Sequence, residues 1–166
     1  MRVCPISGAG ICTEAQMQAE LALFLSMRPH YQNKWPYEFK VNIYTEVGIP
    51  EIGRISDIIV RVSEKKIINI ECKLENYTIV IQQAQDHLKW ADYSYICFFA
   101  DAYFPARDIA KLVKLGIGLI FWRPGIFVEA VHSYYNTYKY GMKNRHLRRL
   151  VNSKLMDKKP LHKYKA

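Results

Sequence analysis

Residues 54–73 read RISDIIVRVSEKKIINIECK, which is two runs rich in β-branched residues joined by a short polar turn. This pattern predicts a hairpin whose strands span residues 54–62 and 66–73. Both runs are largely apolar, so we expect them to be central strands of a sheet. A charged side chain on such a strand needs a partner or a function.

Three charged residues of this hairpin indicate chemistry. Glu71 and Lys73 share one face of their strand, with Cys72 on the other face, because side chains alternate. Asp57 joins them if the two strands are neighbours. Two carboxylates and an ammonium group can hold a divalent cation and prepare a water for attack on a phosphate, which makes a nuclease the leading hypothesis. The alternative is an ordinary Glu–Lys ion pair on a surface hairpin.

The sequence around the hairpin predicts a mixed helix and strand order. A capping box at Thr13 opens a helix that runs to about Met27. The order α-β-β-β-α-β-α-β predicts an α/β fold, a central mixed β-sheet flanked by helices. Outside the hairpin, the remaining expected elements are a strand at 41–47, a helix at 79–91, a strand at 93–100, a helix at 105–115, strands at 117–122 and 126–131, and a basic helix at 142–156.

Composition narrows the class of protein. A chain of 166 residues fits one domain, and no apolar run approaches the length of a membrane span. We therefore expect a soluble, cytoplasmic protein with no membrane partner. The cysteines show no paired metal-ligand spacing, and the two within strand-like segments, Cys72 and Cys97, are expected to be buried thiols.

The positive charge is concentrated at one end of the chain. The net charge is +9, and residues 139–166 hold ten Lys or Arg and one acid, whereas residues 1–138 are formally neutral. This asymmetry predicts a nuclease-like domain at 1–138 and a basic C-terminal extension at 139–166, part helix and part disordered. Nucleic acid is the favoured partner, and a solvated tail is the alternative.

The same end of the chain supplies the candidate nucleic-acid contacts. Four basic residues of the predicted helix are expected to bind phosphates, and the preceding tyrosines either stack on unpaired bases or simply cover the last strand. The basic residues are Lys143, Arg145, Arg148 and Arg149, and the tyrosines are Tyr134, Tyr135, Tyr138 and Tyr140.

The segments GRISDIIV, IECK and IQQAQDHLKWADYSYICFF resemble the PD-(D/E)xK nuclease superfamily, which has the restriction-endonuclease-like fold. The likeness covers roughly residues 13–122. The proline that names the superfamily is absent, since Ser56 precedes Asp57. The resemblance implies a site that contains Mg²⁺ or Mn²⁺.

By this resemblance, Asp57, Glu71 and the backbone carbonyl of Cys72 would be metal ligands, and Lys73 would orient the attacking water. The first helix of such nucleases often adds an acid, here Glu20, with Glu46 as the competing candidate. Gln83 either hydrogen-bonds the phosphate or the acids, or is an ordinary polar residue of its helix. The implied catalytic set is Asp57, Glu71, Lys73 and Gln83.

The sequence therefore predicts a metal-dependent nuclease that hydrolyses DNA with little sequence specificity. A homodimer would suit this activity but is not required by the sequence, and RNA is an alternative substrate. The rival hypothesis is a catalytically inactive protein of the nuclease fold that binds nucleic acid or a protein partner.

Overall fold

The structure is a computed structural model that describes residues 2–3, 11–27, 41–137 and 143–163. Its strands are β1 (Arg2–Val3), β2 (Ile11–Cys12), β3 (Asn42–Ile49), β4 (Arg54–Ser63), β5 (Lys66–Lys73), β6 (Tyr93–Phe99), β7 (Gly118–Arg123), β8 (Ile126–Val131) and β9 (His162–Lys163). Its helices are α1 (Glu14–Met27), α2 (Tyr77–His87), α3 (Ala106–Leu115) and α4 (Arg145–Asp157), with a 3-10 turn at Pro50–Ile52. No helix among the described residues is long and apolar enough to cross a membrane.

A seven-stranded mixed sheet forms the centre, in the order β8-β7-β6-β5-β4-β3-β9. The hairpin of β4 and β5 lies in the middle and pairs Ile58 with Ile70, which puts Asp57 beside Glu71. β5, β6 and β7 are parallel, and α2 and α3 are the connections between them. β3 pairs with β4, and β8 pairs with β7, both in antiparallel fashion. The predicted mixed sheet flanked by helices is confirmed.

The helices cover the two faces of this sheet. α1 lies on one face, where the ring of Phe24 stacks on Phe127 of β8 with 4.9 Å between centroids. α2 lies on the other face, where His87 reaches Glu71 of β5. A large apolar core fills the space between the sheet and α1, α2 and α3.

The boundaries of α2 differ from the predicted range of 79–91. Asn76 adopts a left-handed conformation with φ 66°, and its side-chain oxygen accepts a hydrogen bond from the Ile79 amide, so the helix starts at Tyr77. At its other end the chain turns through Leu88 and Trp90 to enter β6. The apolar pattern continues through this turn, which is why the sequence overestimated the helix length at that end.

The C-terminal segment is not the extension that its charge predicts. α4 packs with three apolar residues into a second buried cluster that includes Trp90 and Ala91 and strand residues of β3, β4 and β5. Residues 158–163 continue to β9, which pairs with β3, so the expected disorder does not apply to them. The part of 139–166 that is described therefore belongs to the folded body. The three apolar residues are Leu147, Val151 and Leu155.

Candidate active site

The hairpin brings the predicted acidic pair and lysine together at one end of β4 and β5. Asp57 Oδ2 accepts a hydrogen bond of 2.7 Å from the backbone amide of Cys72. Cys72 stands between Glu71 and Lys73 in the chain, so this bond holds the Asp57 carboxylate against the Glu-x-Lys segment. The expected grouping of Asp57, Glu71 and Lys73 is thus present in the geometry.

Glu71 is a buried carboxylate that lacks a good partner. Its exposure is 0%, and neither of its oxygens makes a hydrogen bond with the described residues. The nearest donor is His87 Nε2, 3.1 Å from Oε1, but it is not aligned for a hydrogen bond. A buried charge without a partner is costly, so this carboxylate is suited to a cation.

The orientation of His87 is set from its other side. Trp90 Nε1 donates a hydrogen bond of 2.9 Å to His87 Nδ1. Because Nδ1 accepts, a neutral ring carries its proton on Nε2, toward Glu71. The structure thus places His87 in contact with Glu71 of the site.

The carboxyl group of Asp57 is held in an unfavourable electrostatic environment. Burial first, and then the nearby charge of Glu71, raise its pKa from 3.8 to about 7, although the Cys72 amide and the Lys73 charge act in the opposite direction. Two neighbouring carboxylates in a poorly solvated place favour either a proton or a metal ion between them.

Lys73 is paired with an acid that the sequence did not single out. Its Nζ lies 3.0 Å from Glu14 Oε2, and the Leu74 amide lies 3.5 Å from Glu14 Oε1. Burial lowers the pKa of Lys73, but the hydrogen bond to Glu14 and the charges of Glu14, Asp57 and Glu71 outweigh burial and leave that pKa raised. Lys73 is therefore a cation under all physiological conditions.

The raised pKa of Asp57 predicts a pH dependence of stability. Between pH 3.8 and about 7 the folded state retains a proton that the unfolded chain loses, so stability falls as pH rises through this window. In the absence of divalent cations, the Asp57→Asn variant should match wild type near pH 4 and exceed it by about 3 kcal/mol at pH 8, allowing for partial exposure. Urea unfolding in EDTA at several pH values measures this difference, and an equal slope for both proteins would contradict it.

Glu20, the first of the two other predicted acids, has its hydrogen-bond partners away from Asp57. The carboxylate of Glu20 accepts hydrogen bonds from Trp122 Nε1 at 2.9 Å, from the Gly125 amide at 2.8 Å and from Gln16 Nε2 at 2.9 Å. Glu20 is therefore engaged at the turn between β7 and β8. The acid of the first helix that reaches the site is Glu14.

Glu46 occupies the register position opposite Asp57, but it interrupts the ladder between β3 and β4. The paired neighbours are Thr45 with Ile58 and Val47 with Ser56, and Glu46 itself has φ 50° and an exposed side chain. A positive φ is unusual for glutamate. No hydrogen bond or ion pair joins the Glu46 side chain to the described residues of the site.

Gln83 lies one helical turn before His87 on α2, on the side of the helix that faces the sheet. Its Oε1 is buried and has no hydrogen-bond partner among the described side chains and backbone. The two sequence interpretations of Gln83 both stay predictions.

Ser56, which stands in place of the superfamily's proline, has a structural use. Its hydroxyl donates to Asn69 Oδ1, Asn69 Nδ2 donates to Ser94 Oγ at 3.2 Å, and Ser94 Oγ donates to the Ala84 carbonyl at 3.0 Å. This buried chain of hydrogen bonds ties β4, β5, β6 and α2 together beneath the acidic pair. It fixes the strands that carry Asp57 and the helix that carries Gln83.

Two of the four predicted phosphate contacts lie in the protein interior. Lys143 Nζ forms an ion pair with Asp92 Oδ1, and Arg148 donates to both Asp92 oxygens, at 3.0 Å and 2.6 Å. Both cations are more than nine-tenths buried, so they are unsuited to binding DNA. Arg145 and Arg149 are exposed.

The predicted tyrosine stretch is only partly described. Tyr134 and Tyr135 are exposed, and Lys143 lies over the Tyr135 ring at 4.7 Å, so this ring belongs to the packing around the buried ion pair. Tyr138 and Tyr140 lie outside the described residues.

The acidic side chains of the site can be compared with the ligands that a metal ion requires. No group of three or more His, Cys, Asp or Glu side chains within the described part of the chain forms a ready-made metal site. Magnesium, however, often binds one or two carboxylates and retains several waters. The unpartnered oxygens of Glu71 and the raised pKa of Asp57 fit such a hydrated divalent ion.

Comparison with known proteins adds little to this picture. No family model matches the chain, and no curated protein matches it. A solved structure with some similarity is a protein of unknown function from Silicibacter pomeroyi. It has 18% sequence identity and a TM-score of 0.49, over 70% of this chain and 73% of that one.

Proposed function

We propose that this protein is a metal-dependent nuclease that hydrolyses DNA phosphodiester bonds. The observation that carries the proposal is the acidic pair: Asp57 and Glu71 lie side by side on central strands, and Glu71 is buried with unpartnered oxygens. Such a pair destabilises the fold unless a cation or a proton compensates it. Lys73 shares the strand of Glu71 and its charge acts on Asp57, so its ammonium would orient a water or offset phosphate charge.

Each side chain of the site has a role in this proposal. Asp57 and Glu71, with the Cys72 carbonyl, would hold Mg²⁺ or Mn²⁺, which when bound offsets phosphate charge and lowers the pKa of a water molecule. Lys73 would donate a hydrogen bond to the attacking water or to a phosphate oxygen. Glu14 would keep the Lys73 ammonium in place, because their ion pair restricts its rotamers.

His87 and Gln83 would act from α2. His87 is turned toward Glu71 by Trp90 and would limit the movement of that carboxylate. The amide of Gln83 would bind a phosphate oxygen or one of the acids. His87 would act through Glu71 and is a positioning residue, whereas Gln83 would touch the substrate if it binds a phosphate oxygen.

We propose DNA as the substrate and little reading of base sequence, since the described chain has no separate recognition domain. RNA is the alternative substrate. A homodimer would be compatible with cleavage of two strands. The rival function is a catalytically inactive protein of the nuclease fold that binds nucleic acid or a protein partner.

Removing the Lys73 ammonium tests the proposal. Wild-type protein in Mg²⁺ or Mn²⁺ should cut DNA, which is offered in linear and in covalently closed circular form, and Lys73→Ala should lower the rate by about 100-fold or more, as loss of a group that stabilises the transition state does. Rates on labelled DNA, measured beside an RNA of the same sequence, provide the comparison. Cutting of the closed circle would establish endonuclease action.

The matched control is Lys65→Ala. Lys65 is exposed in the turn between β4 and β5, at the opposite end of the same strand, so its removal changes the net charge equally but leaves the site intact. Wild-type protein that binds DNA but cuts neither nucleic acid in either metal would support the inactive rival. Equal losses in the two variants would place the active site elsewhere.

A further inference from the structure

An aromatic platform stands beside the candidate active site and has no role in the chemistry described so far. We define it as Tyr77, Tyr103 and Phe104. The Tyr103 ring is 75% exposed and meets the edge of Tyr77 at 6.2 Å, with an interplanar angle of 85°. Tyr77 contacts Phe104 at 5.8 Å, and Phe104 packs on Phe98 of β6 at 5.0 Å. The exposed ring is therefore supported by a continuous row of aromatic contacts that begins in the core.

The platform lies at the sheet edge that carries Lys73. β5 and β6 are parallel and pair Lys73 with Phe98, so their carboxyl ends meet at one edge. Tyr77 follows the end of β5, and Tyr103 follows the end of β6. In open sheets of this kind, ligands bind in the crevice outside the carboxyl ends of the parallel strands.

Cations extend from the platform along α3. Arg107 is 84% exposed, and its guanidinium lies close to the Tyr77 side chain. Lys111 and Lys114 are also exposed and follow at spacings of four and seven residues, so all three lie along one face of the helix. The acid nearest to this row, Asp108, lies 3.5 Å from Arg107. The row keeps a net positive charge that suits the phosphates of a nucleic-acid strand.

We propose that the platform is a stacking site for an unpaired base of single-stranded DNA, with the row of Arg107, Lys111 and Lys114 contacting the neighbouring phosphates. A base paired inside a duplex is stacked on both sides and presents no free face to Tyr103, whereas an unpaired base can lie flat on the ring. This inference rests on the proposed nuclease function and specifies its substrate class as single strands and frayed duplex ends.

The platform differs from the tyrosine stretch at residues 134–140, for which the sequence leaves stacking as one of two interpretations. Tyr134 is 64% exposed, but its backbone amide bonds to the carbonyl of Gly116, at the C-terminal end of α3. That end lies away from Lys73, on the opposite edge of the sheet. Tyr134 therefore provides an exposed tyrosine of similar size that is not beside the site, and its replacement is a matched control.

Binding without hydrolysis gives the first test. A single-stranded oligonucleotide that contains 2-aminopurine is titrated with protein in EDTA, beside a blunt duplex of the same sequence. Tyr103→Ala should weaken binding of the single strand about tenfold, because the base loses the aromatic ring on which it stacks. Tyr103→Trp should retain the binding, because it keeps an aromatic ring at this position. Binding of the duplex should change little. Circular dichroism verifies that the variants are folded.

Two outcomes would overturn the stacking site. One is unchanged single-strand binding by Tyr103→Ala, and the other is an equal loss with Tyr134→Ala. Adding Mg²⁺ afterwards separates this inference from the nuclease function. Binding that depends on Tyr103 in a protein that cuts no DNA would contradict the nuclease function and support the stacking site. Cleavage of single strands that does not depend on Tyr103 would support the nuclease function and contradict the stacking site.

Discussion

Replacing Glu71 with glutamine should lower the rate of DNA cleavage by about 1,000-fold and, at the same time, stabilise the metal-free protein. The loss of activity follows because an amide keeps the shape of the side chain but removes a charge that a divalent cation needs. Several kcal/mol of electrostatic stabilisation in the transition state then disappear, and each 1.4 kcal/mol is about a factor of ten in rate.

The gain in stability follows from the same charge. Glu71 is buried with no hydrogen-bond partner among the described residues, and its charge is the second cause, after burial, of the raised pKa of Asp57. Without the Glu71 charge, the pKa of Asp57 falls toward its ordinary value, and the repulsion between the two carboxylates ends. We expect the free energy of unfolding in EDTA at pH 8 to rise by about 2 kcal/mol.

Two measurements on Glu71→Gln test whether the charge of Glu71 binds the metal and destabilises the metal-free protein. Urea unfolding with and without Mg²⁺ gives the stability, and isothermal titration with Mn²⁺ gives metal affinity, which should be largely lost. Glu51→Gln is the control, because Glu51 is an exposed acid on the 3-10 turn before β4. A Glu71→Gln variant that is less stable than wild type and binds Mn²⁺ normally would refute the interpretation of Glu71 as a buried ligand.

The hairpin could be predicted from sequence because its information is local. The alternation of β-branched residues specifies the two strands, and the short turn between them leaves only an antiparallel pairing. A turn at residues 63–65 gives a register with Asp57 opposite Glu71, and in the structure a bulge between Arg61 and Ser63 leads to the same register. No long-range contact is needed for this conclusion, and the structure reproduces it.

The choice of the first-helix acid could not be made in the same way. The four-residue spacing of Met17 and Leu21 indicates one buried face of α1, and both side chains are fully buried. It does not indicate which end of the helix lies near the strand ends. Glu14 reaches Lys73 because it is the first residue of α1, and Glu20 lies almost two turns further on, near Trp122. The only local signal for Glu14 was its place directly after the cap residue Thr13.

Net charge misled the interpretation of the C-terminal segment for a related reason. A count of charges does not show which cations have a buried partner, and the partner here is far away in sequence. Asp92 precedes β6, whereas Lys143 and Arg148 lie more than 50 residues later. Apolar residues of α4 recur at i, i+4 and i+8, namely Leu147, Val151 and Leu155, and this spacing was the available signal for a packed helix.

Replacing Asp92 with asparagine should therefore destabilise the protein by about 3–5 kcal/mol. The carboxylate is 1% exposed, accepts from the Ile67 amide at 2.8 Å and is paired with both Lys143 and Arg148. An amide removes the negative charge and leaves two buried cations without it, which is among the most damaging single changes in a protein core. Thermal or urea unfolding measures the loss, and Asp157→Asn, at the exposed end of α4, should have little effect.

Two adjacent arginines of α4 separate a structural role from a role in nucleic-acid binding. Arg148 is buried against Asp92, whereas Arg149 is exposed, although the sequence assigns both to phosphate contacts. Arg148→Ala should cost about 3 kcal/mol of stability, and Arg149→Ala should stay within about 0.5 kcal/mol of wild type. Because the two variants lose the same charge from neighbouring positions, a solvated basic tail would make them equivalent. Equal stability of the two variants would thus restore the basic-extension interpretation, and a clear difference would establish α4 as part of the folded domain.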